Sequence, residues 1–466
     1  MFQLNSYDMG TQISWLVRNS IRGYVLRHLG FLYYGIKPHQ AKKPLVYTNR
    51  VKRMLLTNGI LVAAGIAGVC FQGSLLFTPL GLFFLSPILV LLSNCINAPL
   101  ERAINRWYIA DARRILQKMP RLLVIGITGS YGKTSTKYFL YRLLSPRYQV
   151  LMTPESYNTP MGVVKTIRGQ LKPIHEIFIC EMGAKKPGEI KEICDIVHPH
   201  YGIISSIGPQ HLETFKSLDN IIKTKFELAR ALPEDGLMFL NYENDYIRQT
   251  PAGRKTVSYG RTSAGCDYTA RNIRVSSAGS SFAITLSSGR EQHFETKLLG
   301  MHNVENITGA IAVADYLGLD PEDLRLSVRR LESVPHRLEL IRRNGITIID
   351  DAFNANVSGT KAALEVLNGF DAFKILITPG MIELGEQEDA YNREFGRAAG
   401  RVCDYVILVG ARQTRSILAG LRSVQYPEET IYIAEQVEEA FRKIDTIPAK
   451  GLPKVVLLEN DLPDNY

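Results

Sequence analysis

Val124-Ile125-Gly126-Ile127-Thr128-Gly129-Ser130-Tyr131-Gly132-Lys133-Thr134-Ser135 is the stretch on which the reading of this chain turns. The apolar run from Leu122 to Ile127 predicts a buried parallel strand. Gly129, Ser130 and Gly132 predict a tight loop, and Ser135 to Leu144 a helix after it. Backbone N–H groups of such a loop, together with the helix N-terminus, cradle phosphate oxygens. In this reading Lys133 neutralises the β- and γ-phosphates and the Thr134 hydroxyl faces Mg²⁺. The strict phosphate-loop pattern asks for glycine at position 127, where this chain has Ile127. The strand–loop–helix context with Gly132-Lys133-Thr134-Ser135 still predicts an ATP site.

Working outward, 466 residues are enough for about three domains. The net charge of +10 is unevenly placed. Residues 1–53 hold nine Lys or Arg against Asp8, and residues 54–100 hold no charged residue. That leaves +2 for the remainder, which argues against a nucleic-acid-binding face. The charge-free stretch predicts a transmembrane helical hairpin, since one membrane helix needs about 20 apolar residues. Its spans are Leu55–Phe71 and Leu75–Ile96, with a turn at Gln72-Gly73-Ser74. Lys42, Lys43, Arg50, Lys52 and Arg53 precede it, and Arg102, Arg106, Arg113 and Arg114 follow it. Both flanks are therefore expected in the cytoplasm, with the chain on the cytoplasmic membrane and its catalytic domains on the cytoplasmic side. Residues 1–36 are expected to form a basic interfacial helix. The bland alternative for the hairpin is a buried helical pair of a soluble domain. Six scattered cysteines show no zinc or redox spacing, and reduced thiols are expected.

Beyond the phosphate loop, Gln149–Met152, Glu176–Glu181 and Tyr201–Ile207 read as further strands. Ligands of open α/β sheets bind beyond the carboxyl ends of strands. Glu181 and His211 therefore stand at the rim where a phosphate-bound metal would lie. Residues 255–299 read as short β segments of a side sheet, and Ile307–Leu317 as an Ala-rich helix. After Pro335, strands at 346–349, 374–378, 405–409 and 454–458 alternate with helices at 358–367, 389–402, 413–421 and 437–444. This predicts a doubly wound, Rossmann-like C-terminal α/β domain. The expected organisation is a basic segment 1–53, a hairpin 54–100, a P-loop central domain 101–333 with a parallel sheet, and a C-terminal domain 334–466.

Several motifs then carry a resemblance. Glu181-Met182-Gly183-Ala184, Pro187-Gly188-Glu189-Ile190 and Ile207-Gly208-Pro209-Gln210-His211-Leu212-Glu213 resemble central-domain motifs of the Mur ligase family. Gly300-Met301-His302-Asn303-Val304-Glu305-Asn306, Val334-Pro335-His336-Arg337-Leu338-Glu339 and Asp350-Asp351-Ala352-Phe353-Asn354-Ala355-Asn356 follow in the family's order. The last block and Gly380-Met381-Ile382-Glu383-Leu384-Gly385 are most similar to members that add D-alanyl-D-alanine. The resemblance covers residues 121–466. It implies a peptide ligase of cell-wall peptidoglycan synthesis that uses ATP and Mg²⁺, activating a carboxylate as an acyl phosphate that an amine displaces.

The same resemblance implies the roles of particular residues. Thr134, Glu181 and His211 match metal-binding positions, and Lys225 matches a lysine that is carbamylated in many members, with Lys223 one alternative. Catalytic roles fall to Lys133, Lys225, His211 and Asn354. Gly129, Ser130, Gly132, Lys133, Thr134 and Ser135 would hold the phosphates, Asn303 and Asn306 the adenine, Arg337 the phosphates and Asp351 the ribose. Helix capping is the alternative for one of Asn303 and Asn306, and turn formation for Asn354 and Asn356. Soluble muramoyl ligases carry an N-terminal domain for the uridine-diphosphate sugar, and the expected hairpin stands in its place. A lipid-linked peptide carboxylate is thereby expected beside the small-molecule one, with D-alanyl-D-alanine as the amine. Two alternatives differ in class: a membrane-anchored polyglutamate-type ligase, and a nucleotide-sensing membrane protein without ligase activity. The Asp350–Asn356 block counts against the first. Lys133, Thr134, Glu181 and His211 count against the second.

Overall fold

The structure is a computed structural model that describes residues 46–71, 78–261, 265–343, 345–353, 355–449 and 451–460. The described chain divides between Ala110 and Asp111 into two compact units. The first contains helix α1 (Asn49–Phe71) and the leading part of helix α2 (Thr78–Gln117). Here the expectation of a transmembrane hairpin is corrected. Among the described residues no helix is long and apolar enough to cross a membrane. The physical reason is that freedom from charge is not apolarity. Thr57, Ser93 and Asn97 interrupt the run and are used between the helices. Ser93 Oγ donates to the Met54 carbonyl at 2.9 Å, and Asn97 Nδ2 to Thr57 Oγ1 at 2.9 Å. Arg53 pairs with the buried Glu101 at 2.6 Å. The membrane location and the membrane partner, which rested on that hairpin, fall with it. The expected interfacial helix of residues 1–36 and the turn at 72–74 lie outside the described residues.

The second unit is built on two sheets. A nine-stranded sheet has the order β2-β3-β1-β4-β5-β6-β7-β8-β9. Its strands are β1 (Leu123–Thr128), β2 (Val150–Met152), β3 (Ile177–Glu181), β4 (Tyr201–Ile204) and β5 (Leu237–Asn241), then β6 (Lys255–Gly260), β7 (Tyr268–Ser276), β8 (Gly279–Thr285) and β9 (Glu291–Thr296). The strands β2 to β7 in that order pair parallel, and β7, β8 and β9 pair antiparallel. Strands covered on both faces carry continuous apolar runs, as Phe178-Ile179-Cys180 in β3 does at zero exposure. Helix α3 (Lys133–Leu144) follows the phosphate loop and lies against α4 (Met301–Tyr316). Helix α4 is buried along most of its length, with a mostly apolar, Ala-rich C-terminal half.

The six-stranded sheet has the order β10-β11-β15-β12-β13-β14. Its strands are β10 (Glu339–Arg343), β11 (Ile346–Asp351), β12 (Phe373–Thr378), β13 (Tyr405–Val409), β14 (Ile431–Ala434) and β15 (Lys454–Glu459). All neighbours are parallel except β10 on β11. The architecture is α/β with parallel-rich sheets, as the apolar runs predict. The periodicity does not predict the two edge strands, β10 and β14, because they are short and half exposed.

Candidate functional site

Both sheets send their carboxyl ends to the same place. Thr128 ends β1, Glu181 ends β3 and Asp351 ends β11. The phosphate loop between β1 and α3 needs glycine twice. Gly129 has φ +152°, and a Cβ there would lie 2.2 Å from Ser205 Oγ. Gly132 has φ +77°, and its Cβ would lie 2.5 Å from Asn306 Oδ1. The loop is strapped to the segment after β4. Ser130 N–H donates to the Ser206 carbonyl at 2.7 Å, and Ser130 Oγ to the Gly208 carbonyl at 3.0 Å. Tyr131 N–H donates to Ser206 Oγ at 3.0 Å, and the Tyr131 hydroxyl to the Pro209 carbonyl at 2.6 Å. Ser135 is buried in the first turn of α3.

Lys133 folds over its own loop, with Nζ donating to the Gly129 and Ser130 carbonyls at 2.8 and 3.0 Å. Burial brings its ammonium down to about 8, with Glu181 opposing and Arg337 adding to the shift. Thr134 Oγ1 donates to Glu181 Oε1 at 3.2 Å, and Asn158 Nδ2 donates to the same oxygen at 2.9 Å. The other oxygen, Oε2, lies 2.9 Å from Lys137 Nζ, and both side chains are almost wholly buried. That contact is an ion pair, and Oε2 accepts no hydrogen bond. Burial pushes the Glu181 carboxyl up, but the charges of Lys137 and Lys133 and the bond from Asn158 outweigh it and hold it below its ordinary value. A buried carboxylate oxygen that accepts no hydrogen bond, on a side chain that also takes the Thr134 hydroxyl, fits a hard, oxygen-seeking cation such as Mg²⁺.

Lys225 ends the helix Leu218–Lys225 with its side chain inside the protein, Nζ 6.0 Å from the Phe215 ring centroid. Burial first, then the charge of Lys133, lowers its ammonium to about 7. Lys223, two residues earlier, is exposed, so burial separates the two lysines that spacing leaves open. His211 sits at φ 52° before a helical turn, Leu212–Phe215. Its Nδ1 meets Glu383 Oε2 of the loop after β12. Burial lowers the imidazole although Glu383 opposes it, and the hydrogen bond from His211 brings the Glu383 carboxyl down to about 2.

The second sheet contributes Arg337, whose Nη2 donates to Thr134 Oγ1 at 3.3 Å while its guanidinium lies 4.4 Å from the Phe353 ring centroid. Asp351 Oδ1 accepts from Leu338 N–H at 3.2 Å. Burial raises its carboxyl to about 6, against the Leu338 bond and the charge of Arg337. Asn306 Oδ1 accepts from Thr136 Oγ1 at 3.2 Å, directly under the phosphate loop. Asn303 turns to the Leu299 carbonyl at 2.8 Å. Asn356 caps the helix Val357–Asn368 by accepting from Gly359 N–H at 2.7 Å, a capping role rather than the turn the sequence alternative named. Asn354 lies outside the described residues. Lys137 and Asn158 carry no site role in the sequence reading, and Glu383 enters it only as part of the Gly380–Gly385 motif, without its pairing to His211. Lys137 is one turn beyond Lys133 on a face that is otherwise core, and that misplaced cation was the available signal.

Two stretches of the chain match profiles of a single family. Residues 127–314 match the profile described as Mur ligase middle domain, and residues 336–458 that described as Mur ligase, glutamate ligase domain. Over 276 residues the chain is 33% identical to a Bacillus subtilis protein named UDP-N-acetylmuramoyl-tripeptide–D-alanyl-D-alanine ligase, covering 59% of each chain. The chain thus spans 59% of the length of that relative. A crystal structure of MurF from Acinetobacter baumannii superimposes with a TM-score of 0.69 at 26% identity, over 76% of this chain and 77% of that one. MurF ligase from Thermotoga maritima, solved in complex with ADP, gives 0.67 at 25% identity, over 77% of this chain and 80% of that one.

Proposed function

This chain belongs to the Mur ligase family, and from that premise we propose that it is an ATP-dependent peptide ligase of peptidoglycan precursor synthesis. Its amine is D-alanyl-D-alanine and its carboxylate substrate a UDP-N-acetylmuramoyl tripeptide, as in the names of its relatives. The observation that carries the reading is the convergence of two sheets on one phosphate loop. Lys133, Thr134 and Glu181 come from the first sheet and Arg337 from the second, with Thr134 touched by both Glu181 and Arg337. In this reading residues 101–333 bind ATP and residues 334–466 close over it. The lipid-linked carboxylate loses its support with the membrane hairpin.

The chemistry asks for positioning and charge neutralisation. N–H groups of Gly132, Lys133 and Thr134 and the Lys133 ammonium hold the β- and γ-phosphates, with Gly129 and Ser130 shaping the loop. The substrate carboxylate attacks the γ-phosphorus, forming an acyl phosphate and releasing ADP. The amine then attacks the acyl carbon, the amide bond forms, and phosphate and a proton leave. Arg337 neutralises charge on the phosphates from the opposite side, and Asp351 accepts from the ribose. Asn303 and Asn306 belong to the adenine side of the site, and Asn354 to the loop facing the acyl phosphate. Thr134, Glu181, His211 and carbamylated Lys225 would hold Mg²⁺, which supplies positive charge to the phosphate oxygens when bound. Lys225 suits carbamylation because its neutral amine, the form that adds CO₂, is well populated near pH 7. The product carbamate is an oxygen donor in place of a cation.

The test is ADP release with the UDP-muramoyl tripeptide and D-alanyl-D-alanine supplied together and singly. Turnover that requires both, and that falls at least about 10²-fold in Lys133→Ala, is expected. Unchanged ADP release in Lys133→Ala, or release indifferent to the amine and the carboxylate, would refute the reading.

A further inference from the structure

We propose that Glu383 is a positioning residue for the cation site: its carboxylate takes the Nδ1–H of His211 and leaves Nε2 as the ring nitrogen that ligates. The inference rests on the ligase reading above and adds a residue from the second sheet to a site otherwise drawn from the first.

The pair joins parts of the chain 172 residues apart. Glu383 belongs to the loop after β12, and His211 follows β4. The remaining Glu383 oxygen, Oε1, pairs with Lys185 at 3.3 Å, so both carboxylate oxygens are spoken for on the first-sheet side. The loop that presents Glu383 is held on both flanks. Met381 N–H donates to Asn392 Oδ1 at 2.9 Å, and Asn392 Nδ2 donates back to the Met381 carbonyl at 2.9 Å. Asn460 Nδ2 donates to the Gly380 carbonyl at 2.6 Å, and Leu384 N–H to Glu388 Oε2 at 3.4 Å. Met381 and Leu384 are themselves buried.

Both partners also adopt backbone conformations that side-chain-bearing residues avoid. His211 has φ 52° and Glu383 φ 64°. Such conformations are strained, and they concentrate where a side chain must be aimed. Two of them facing one another across the meeting of two sheets is a costly arrangement for a surface ion pair, which adds little stability of its own.

The chemistry of a metal-ligating histidine explains the arrangement. Such a ring donates its other N–H to a carboxylate or carbonyl, which fixes the tautomer and makes the ligating nitrogen more basic. Because Glu383 rides on the second sheet, docking of its loop and completion of the cation site become one equilibrium, and each favours the other.

The test uses Mn²⁺ as the probe with the full chain and ADP. Binding is read by electron paramagnetic resonance, with pulsed detection of the ¹⁴N coupling from a directly bound histidine. Wild type is expected to bind Mn²⁺ with a histidine coupling that His211→Ala removes. Glu383→Ala should weaken Mn²⁺ binding about 10–100-fold. Glu383→Gln should restore part of that loss, because its amide oxygen still accepts from Nδ1–H. ADP binding without metal should stay as in wild type for both Glu383 variants. Wild-type Mn²⁺ affinity and histidine coupling in Glu383→Ala would overturn the proposal while leaving the ligase reading in place. So would wild-type binding without histidine coupling, or equal loss in Glu383→Gln and Glu383→Ala. Failure of the wild type with ADP to bind Mn²⁺ at all would overturn both.

Discussion

Replacing Lys137 by methionine removes the cation opposite a fully buried carboxylate. Lys137 and Glu181 are 2% and 1% exposed, and their charged atoms are 2.9 Å apart. Deleting one partner of such a pair costs about 3–5 kcal/mol, because the other charge is left without compensation. Glu181 keeps hydrogen bonds from Asn158 and Thr134, so the lower end applies, about 3 kcal/mol. At about 2–4 °C per kcal/mol for a domain of this size, the unfolding midpoint should fall by about 6–12 °C at pH 7. The pH dependence follows from the sign of the shift. In the wild type the Glu181 carboxyl lies below its ordinary 4.5, so its stabilisation is present above that value and is lost as pH falls through the lower, folded one. In Lys137→Met, burial dominates and the folded value rises above 4.5. The penalty then belongs to the charged form and is relieved on acidification. The deficit should therefore be largest at neutral pH and should shrink toward pH 4.5. The double variant Lys137→Met, Glu181→Gln should recover most of the loss, since neither partner is charged. Thermal unfolding of the four proteins followed by circular dichroism decides it. A single variant within about 0.5 kcal/mol of wild type at pH 7, the scatter of ordinary surface changes, would refute the reasoning. A deficit independent of pH would refute it equally.

Lys225→Ala is expected to lose ADP release that bicarbonate does not restore and formate partly does, since formate supplies the missing carboxylate oxygens. Full activity of that variant in a coupled ADP assay would remove the lysine from the mechanism. Gly132→Ala should weaken ADP binding at least about tenfold. Its φ of +77° carries a penalty of roughly 1–2 kcal/mol for any side chain, and its Cβ would displace Asn306. Calorimetric ADP affinity equal to wild type would contradict that geometry.

Long-wavelength features of the fold were legible in the amino-acid order. Strands such as Ile177–Glu181 and Tyr405–Val409 are mostly apolar runs, because a strand buried on both faces must be largely apolar. The phosphate loop was legible because Gly129 and Gly132 adopt positive φ that glycine alone tolerates freely. The charge-free stretch 54–100 misled, because charge was counted and uncharged polarity was not. Thr57, Ser93 and Asn97 bond between helices, and no described helix is apolar enough to span a membrane. Pairings over long chain separations were beyond any local pattern. Lys137 reads as one more helical cation until β3 places Glu181 beside it, and Glu383 as a motif acid with no partner in sight until the second sheet brings it to His211. Backbone conformation and apolar burial are written into neighbouring residues, whose sterics and solvation act locally. The partner of a buried charge is chosen by whichever distant strand end arrives beside it, so only the tertiary structure decided that Glu181 answers to Lys137 and His211 to Glu383.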